Sequence, residues 1–267
     1  MPTRVLMNAA GHASARQLAE LMRDKRRVTV LTGAGVSAAS GVPTFRGPGG
    51  FGRDRDPMTL ATPQAFAADP RLVWEWYDWR RQNIAAAQPN AAHHVLARWA
   101  QARPDFTLIT QNVDGLHERA GTPRVLRLHG SIWHVQCAGR CGATPRLDER
   151  VPMPGLPDTP PHCETCGALL RPSVVWFGEG LDRAIVAAAS RATRCDLFIT
   201  IGTSAVVYPA AGFIHEARAC GATVAEINPD VTDASESVDL SIRGTAETIL
   251  PEVERLLAIP DPGGVRP

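Results

Sequence analysis

Four runs of consecutive apolar and β-branched residues, at 28–32, 106–110, 197–201 and 223–227, each end in a polar or glycine-rich turn. A strand wetted on one face alternates apolar and polar positions. Runs that stay apolar suit strands of a parallel sheet covered on both faces. Helical patterns separate them, at roughly 90–102, 181–193 and 208–219, with 245–257 closing the chain. Alternation of this kind predicts a doubly wound α/β sheet.

Two stretches break the alternation. Residues 47–89 begin rich in Gly and Pro, then turn helical, and they fall where the second strand is expected. Residues 133–170 carry two cysteine pairs and the prolines between Pro152 and Pro161, poor material for a helix or a central strand. The expected organisation is therefore a larger domain from 1–46, 90–132 and 171–258, with a smaller one from 47–89 and 133–170. The Pro- and Gly-rich tail 259–267 is expected to fray. No internal repeat is visible.

Composition removes several function classes. With 267 residues, 44% hydrophobic and 21% charged, the chain has the make-up of a soluble globular protein with room for one large domain and one small. A net charge of +1 gives no electrostatic reason to expect nucleic acid or an anionic membrane as partner. No apolar run approaches the roughly 18 residues that span a bilayer, and the first residues lack a signal-peptide pattern. Six cysteines are too few for a secreted disulfide scaffold, so a reducing, cytoplasmic setting is expected.

The turn after the first strand reads Gly33-Ala-Gly-Val-Ser-Ala38, a Gly-x-Gly-x-x-Ala pattern. Gly33 permits a tight turn, Gly35 lets backbone approach a pyrophosphate, and a following helix N-terminus offers N–H groups. An ordinary glycine-rich turn is the competing reading. The acid that a simple dinucleotide fold places about 20 residues on would fall in the Gly-rich insertion, so the ribose must be gripped elsewhere. Two further strand ends, Gly202-Thr-Ser204 and Asn228-Pro-Asp230, are polar, as ligand sites or as plain turns.

Gln111-Asn-Val-Asp114 follows another apolar strand. Asp114 suits either a site or the N-cap of the next helix. Of eight histidines, His129 is the one at a strand end beside a glycine, where a ring with an unperturbed pKa of about 6.5 can take a proton; a structural role competes. Cys137, Cys141, Cys163 and Cys166 form two close pairs flanking residues 142–162, the spacing of a four-cysteine zinc ribbon. Four thiolates close the shell, so the metal is structural; disulfides or inert thiols are the alternative. Cys195 and Cys220 read as ordinary buried residues. In the helix expected over 69–84, Val73, Tyr77, Arg80 and Ile84 share one face. Arg80 thus interrupts an apolar stripe. It is either an internal ion pair, a snorkelling side chain, or a group that grips a carboxylate in two parallel hydrogen bonds.

Together these residues resemble the sirtuin family of NAD-dependent protein lysine deacylases. The likeness runs from about Arg26 to Pro251. It rests on Gly33–Arg46, Thr110-Gln-Asn-Val-Asp-Gly115, Leu128-His-Gly-Ser131, the tetracysteine module and Gly202-Thr-Ser204, in the family's order. The chain looks closest to the class III branch, which removes acidic acyl groups. There a tyrosine and an arginine three apart bind the acyl carboxylate, as Tyr77 and Arg80 would, and Ala61 matches a small residue that widens the acyl pocket. Val174–Glu179 resembles the segment that pairs with the substrate backbone, through Val175, Trp176, Phe177, Gly178 and Glu179.

The resemblance implies a Rossmann-like parallel sheet with a smaller domain of zinc ribbon and helical lobe. NAD serves as co-substrate, one Zn2+ is structural, and acylated-lysine proteins are the partners of a chain expected to be monomeric. It implies that the acyl oxygen attacks C1′ of the nicotinamide ribose, that His129 acts as general base on a ribose hydroxyl, and that free lysine and O-acyl-ADP-ribose leave. Asn112 and Asp114 would hold the ribose and a water. The turn Gly33, Ala34, Gly35 and Ser37 would take NAD, and Phe45, Arg46, Gln111 and Val113 would help position it. Gly202, Thr203, Ser204, Asn228, Pro229, Asp230 and Ala246 would take the adenosine half. A mono-ADP-ribosyltransferase on the same fold is the rival enzyme. A non-catalytic sensor would need a broken catalytic set, and Asn112, Asp114 and His129 are all present.

Overall fold

The structure is a computed structural model that describes residues 9–44, 57–139, 141–150 and 159–258. In chain order the strands are β1 (Val28–Thr32), β2 (Phe106–Thr110), β3 (Val125–Arg127), β4 (Gly130–Cys137), β5 (Arg146–Leu147), β6 (Leu170–Val174), β7 (Leu197–Ile201), β8 (Thr223–Asn228) and β9 (Leu240–Arg243). The helices are α1 (Ala9–Arg23), α2 (Pro57–Leu60), α3 (Pro63–Ala68), α4 (Pro70–Ala86), α5 (Ala91–Ala102), α6 (Leu116–Arg119), α7 (Arg183–Ala192), α8 (Ala210–Ala219) and α9 (Ala246–Leu257). A 3-10 segment, Ala34–Ser40, follows β1.

Six strands form a parallel sheet in the order β3-β2-β1-β7-β8-β9. Counting only these strands, the order is that of a Rossmann fold, and its switch point lies between β1 and β7. β1 and β7 are buried at every position, because the sheet is covered on both sides. Val28, Val30, Leu197, Ile199 and Ile201 pack on one side with α1, α5 and α9, whereas Leu31 and Phe198 point to the other, where α7 and α8 lie. The period of two along each strand thus feeds two cores.

β5-β4-β6 form a separate antiparallel sheet. It joins α3 and α4 around a third core that includes Phe66, Trp74, Tyr77, Ile132, Leu170 and Trp176. The sequence divisions at 133 and 170 fall inside β4 and at the first residue of β6. Gly130 explains how this sheet starts so abruptly. At φ +79° its Cα lies where a Cβ would be 2.2 Å from the Ser173 carbonyl oxygen, so only glycine lets β4 meet β6 beside His129.

Asp69 caps α4 by accepting from the Leu72 amide, and Pro70 fits the first turn. The stripe Val73, Tyr77, Arg80 and Ile84 is buried, but so are Trp74, Asp78 and Arg81 on its other side. There Arg81 binds Asp148 at 2.6 Å and the Ile132 carbonyl at 2.7 Å, while stacking on Trp74. This buried ion pair clamps α4 to the small sheet. The sequence pattern missed it, because Asp148 is remote in the chain.

Candidate active site

At the switch point the ends of β1 and β7 touch. A Cβ on Gly35 would lie 2.7 Å from the Cα of Gly202, and one on Gly202 would lie 2.6 Å from the Val36 nitrogen. The Gly35 amide donates to the Gly202 carbonyl at 2.8 Å, and the Val36 amide to that of Gly33 at 3.2 Å. Gly35 therefore has a structural role beside the ligand-facing one expected from the sequence. Its bare backbone serves the approach of two strand ends, and these two amides are engaged inside the protein. The segment that follows is a 3-10 turn.

Around this junction lies a cavity of about 830 Å3, within the range of small-molecule and cofactor sites. Gly33, Ala34, Gly35, Gln111, Asn112, His129, Phe177, Gly202, Thr203, Ser204, Asn228, Pro229, Asp230 and Ala246 line it. Polar ends of β1, β2, β7 and β8 thus converge on one space, as parallel sheets allow. The Gln111 amide donates to Thr203 Oγ1 at 2.8 Å, and Asn228 Nδ2 to the Thr203 carbonyl at 2.9 Å, tying three strand ends together. Sequence reasoning missed the loop residues Val231, Thr232 and Asp233, and also Val206, Val207, Thr245 and Glu247. A short loop after a strand gave no pattern to single them out.

His129 is half-buried, with Nδ1 2.9 Å from the Gln111 carbonyl oxygen. A carbonyl only accepts, so Nδ1 carries the proton and Nε2 is left with its lone pair. Burial lowers the pKa of this ring from the ordinary value, against the hydrogen bond to Gln111, so the base form prevails at neutral pH.

Behind the cavity wall lie Ser37 and Asp114. Asn112 Nδ2 donates to the Gly33 carbonyl at 3.1 Å and to Ser37 Oγ at 3.2 Å. Ser37 Oγ donates to Asp114 Oδ2 at 2.8 Å, while Asp114 Oδ1 accepts from the Leu116 amide at 2.9 Å. Asp114 is buried, and this raises its pKa against the Leu116 and Ser37 hydrogen bonds. It thus braces Asn112 through Ser37 and also caps the turn into α6. Two histidines that the sequence reading passed over complete this layer. His93 Nδ1 accepts from the Asn90 amide at 3.2 Å, so its protonated Nε2 faces Ser37 Oγ at 3.4 Å. His117 Nε2 lies 2.9 Å from Thr32 Oγ1. Val113 is buried in the third core, and its carbonyl accepts from the Ile132 amide at 3.0 Å. Phe45 and Arg46 lie outside the described residues.

The segment after β6 is held on three sides. Val175 N–H donates to the His129 carbonyl at 3.0 Å and Phe177 N–H to the Ala61 carbonyl at 2.9 Å. The Trp176 indole donates to the Tyr77 hydroxyl at 2.9 Å. Arg171 stacks on Trp176 and binds Glu179 through both of its terminal nitrogens, at 2.5 and 2.8 Å. Gly178, at φ +86°, turns this short segment. Ala61, Tyr77 and Trp176 thus meet in one cluster. Arg80 stands beside it, 2% exposed, with its guanidinium carbon 4.7 Å from the Trp76 ring centre and 5.4 Å from that of Tyr77. That burial excludes snorkelling. None of Ala61, Tyr77 and Arg80 is among the described residues lining the 830 Å3 cavity.

The four cysteines Cys137, Cys141, Cys163 and Cys166 come together, with all four sulfurs within 4.8 Å of one another. Sulfurs bound tetrahedrally at about 2.3 Å from zinc stand about 3.8 Å apart. Cys137 and Cys166 are 3.5 Å apart and Cys141 and Cys163 are 3.8 Å apart, so the donor set and its spacing fit a four-thiolate Zn2+ site. Backbone amides of Thr165 and Cys166 pull the Cys163 thiol down, towards the thiolate that a metal takes. Cys195 is buried as expected, but Cys220 is exposed at the end of α8.

Comparison with known proteins agrees with this architecture. Residues 33–209 match the Sir2 family. An NAD-dependent protein deacylase of Aquifex aeolicus is 50% identical over 85% of this chain and 93% of its own. One of Methylococcus capsulatus is 47% identical over 88% and 94%. Among solved structures, a Sir2 homologue in complex with NAD is 43% identical, with a TM-score of 0.82 over 90% of this chain and 93% of that one. A mutant Sir2 homologue in complex with ADP-ribose reaches 0.84 over 90% and 95%, also at 43% identity. In fold, strand-end chemistry and sequence, the chain belongs to the Sir2 family.

Proposed function

We propose that this protein is an NAD-dependent protein lysine deacylase that favours succinyl- and malonyl-lysine. The observation that carries the activity is the cavity at the switch point, where His129, held in its base form, shares one space with Asn112 and the polar ends of four strands. Bound NAD supplies a labile nicotinamide–ribose bond, and the acyl group leaves on ADP-ribose.

The chain's own residues divide the work. His129 Nε2 takes a proton from a ribose hydroxyl. Asn112, fixed by Gly33 and braced through Ser37 by Asp114, orients the ribose. Gly202, Thr203, Ser204, Asn228, Pro229, Asp230 and Ala246 receive the adenosine half, and Gly33, Ala34 and Gln111 the middle of the dinucleotide. Phe177 and Val206, exposed at the rim, shield the reacting centre and give an acyl-lysine peptide an apolar landing. The 174–179 segment, pinned to Ala61, Tyr77 and His129, pairs with that peptide. The tetracysteine cluster would hold a structural Zn2+ within the small sheet, which packs with α3 and α4 around the third core.

Acyl preference rests on the pairing of Tyr77 with Arg80. The Tyr77 oxygen accepts from Trp176, which leaves its O–H free to donate, and the buried guanidinium lies beside it. A carboxylate bound there gains charge-assisted hydrogen bonds that an acetyl group cannot make. The test is one peptide carrying succinyl, malonyl or acetyl on the same lysine, incubated with NAD. The expected products are free lysine, nicotinamide and O-acyl-ADP-ribose, formed fastest from the acidic acyl groups. ADP-ribosylated protein without O-acyl-ADP-ribose would overturn the assignment.

A further inference from the structure

We propose that Glu226 is a positioning residue for the dinucleotide, fixing from inside the sheet the loop that forms one wall of the cavity; the proposal rests on the NAD reading above. Glu226 sits on β8 among Val224, Ala225 and Ile227 and is 1% exposed. A carboxylate taken out of water at such a place is costly unless donors surround it. Four do. Ser235 Oγ donates at 2.7 Å, Ser241 Oγ at 2.9 Å and Arg243 Nη1 at 3.1 Å, all to Oε2, while Thr232 Oγ1 donates to Oε1.

The donors are unevenly placed, and that carries the argument. Ser241 and Arg243 belong to the neighbouring strand β9, where a ladder already holds the backbone. Thr232 and Ser235 belong to the loop after β8. Arg243 reinforces them, donating to the Asp230 carbonyl at 2.5 Å and to Ser235 Oγ at 2.8 Å. Asp230, Val231, Thr232 and Asp233 line the cavity, whereas Glu226 does not. A loop of this kind opens at little cost when few buried contacts hold it. Here a buried anion pulls its hydroxyls inward and sets the height of the wall. A preorganised wall spares the ligand the cost of ordering it. Glu226 therefore acts on NAD through the loop, without touching it.

The test is Glu226→Gln, which keeps the shape but replaces an acceptor oxygen by a donor, together with Ser235→Ala, which removes a loop contact and leaves the buried charge held by β9. Steady-state kinetics and calorimetric binding of ADP-ribose are the readouts. Glu226→Gln is expected to raise KM for NAD and weaken ADP-ribose about tenfold or more, since hydrogen bonds to a charge are involved. KM for the acyl peptide and kcat at saturating NAD should stay near wild type. Ser235→Ala should shift the same two quantities by a smaller factor, and it decides the matter should Glu226→Gln not fold. A fall in kcat with unchanged KM for NAD and unchanged ADP-ribose affinity would overturn the proposal, leaving Glu226 a purely structural ion. Failure of the wild-type protein to bind ADP-ribose would instead overturn the NAD reading beneath it, so the two failures are distinguishable.

Discussion

His129 donates one ring proton to the Gln111 carbonyl and is dry enough for its pKa to fall below the usual value. A depressed pKa keeps the neutral base populated as pH falls. The acid limb of the kcat/KM profile is therefore expected to have its midpoint below about 6.5, the value of an unperturbed histidine. His129→Ala should lower turnover by about 10²–10⁴-fold, the usual contribution of a general base, while ADP-ribose still binds. Near wild-type turnover in that variant would remove His129 from the chemistry. At this scale the sequence was readable where function needs a polar residue at a strand end: Gln111, Asn112 and His129 stand out there. His93 and His117 were not, since a histidine inside a helix says nothing about the serine or threonine it will meet. Glu226 left a signal that went unused. A charge within an apolar strand is as telling as Arg80 within an apolar stripe.

The helix α4 is the element on which the proposed choice of acyl group turns. One of its sides is locked by the Arg81–Asp148 and Arg81–Asp78 ion pairs, and the other brings Tyr77 and Arg80 to Trp176. Burial lowers the pKa of Arg80, against the influence of Tyr77 and Asp114, and a bound carboxylate would restore the balance. Charge-assisted hydrogen bonds contribute about 1.5–3 kcal/mol. Arg80→Met should thus reduce kcat/KM for succinyl-lysine about tenfold to a hundredfold, mainly through KM, and change deacetylation much less. An equal loss of both activities would make Arg80 a structural cation and end the acidic-acyl assignment. Periodicity revealed the stripe on α4 but not its second buried side. It likewise found the long strands and helices of the large sheet and passed over β9, four residues long, and α1, where no motif drew attention. Short edge strands owe their form to the neighbour they pair with, which a single sequence does not display.

Across the whole molecule, the layer behind the cavity contributes to acid sensitivity. Burial, assisted by His94, holds His93 down to about 4, and burial, assisted by His93, holds His117 down to about 3. In the unfolded chain both return to about 6.5. Between these limits the unfolded state binds protons that the native state refuses, so stability rises with pH. The contribution is fully present above about 6.5 and is lost progressively as pH falls towards 4 and then 3, with a slope of up to about 1.4 kcal/mol per pH unit for each ring. Asp114, raised by burial, opposes this, because protonation favours the native form of that group. Asp196 and Glu252, held down to about 2 chiefly by Arg27 and Arg255, add their losses only at lower pH, where unfolded carboxylates begin to protonate. Urea midpoints measured from pH 7.5 to 4.5 should therefore stay nearly level down to about pH 6.5 and then fall in the wild type. A His93→Gln, His117→Gln double variant should begin lower, having lost the contacts to Ser37 and Thr32, but show a flatter slope over the same range. An unchanged slope would mean that neither ring is the source of the acid sensitivity, and that Ser37 and Asp114 keep their geometry whatever the charge behind them.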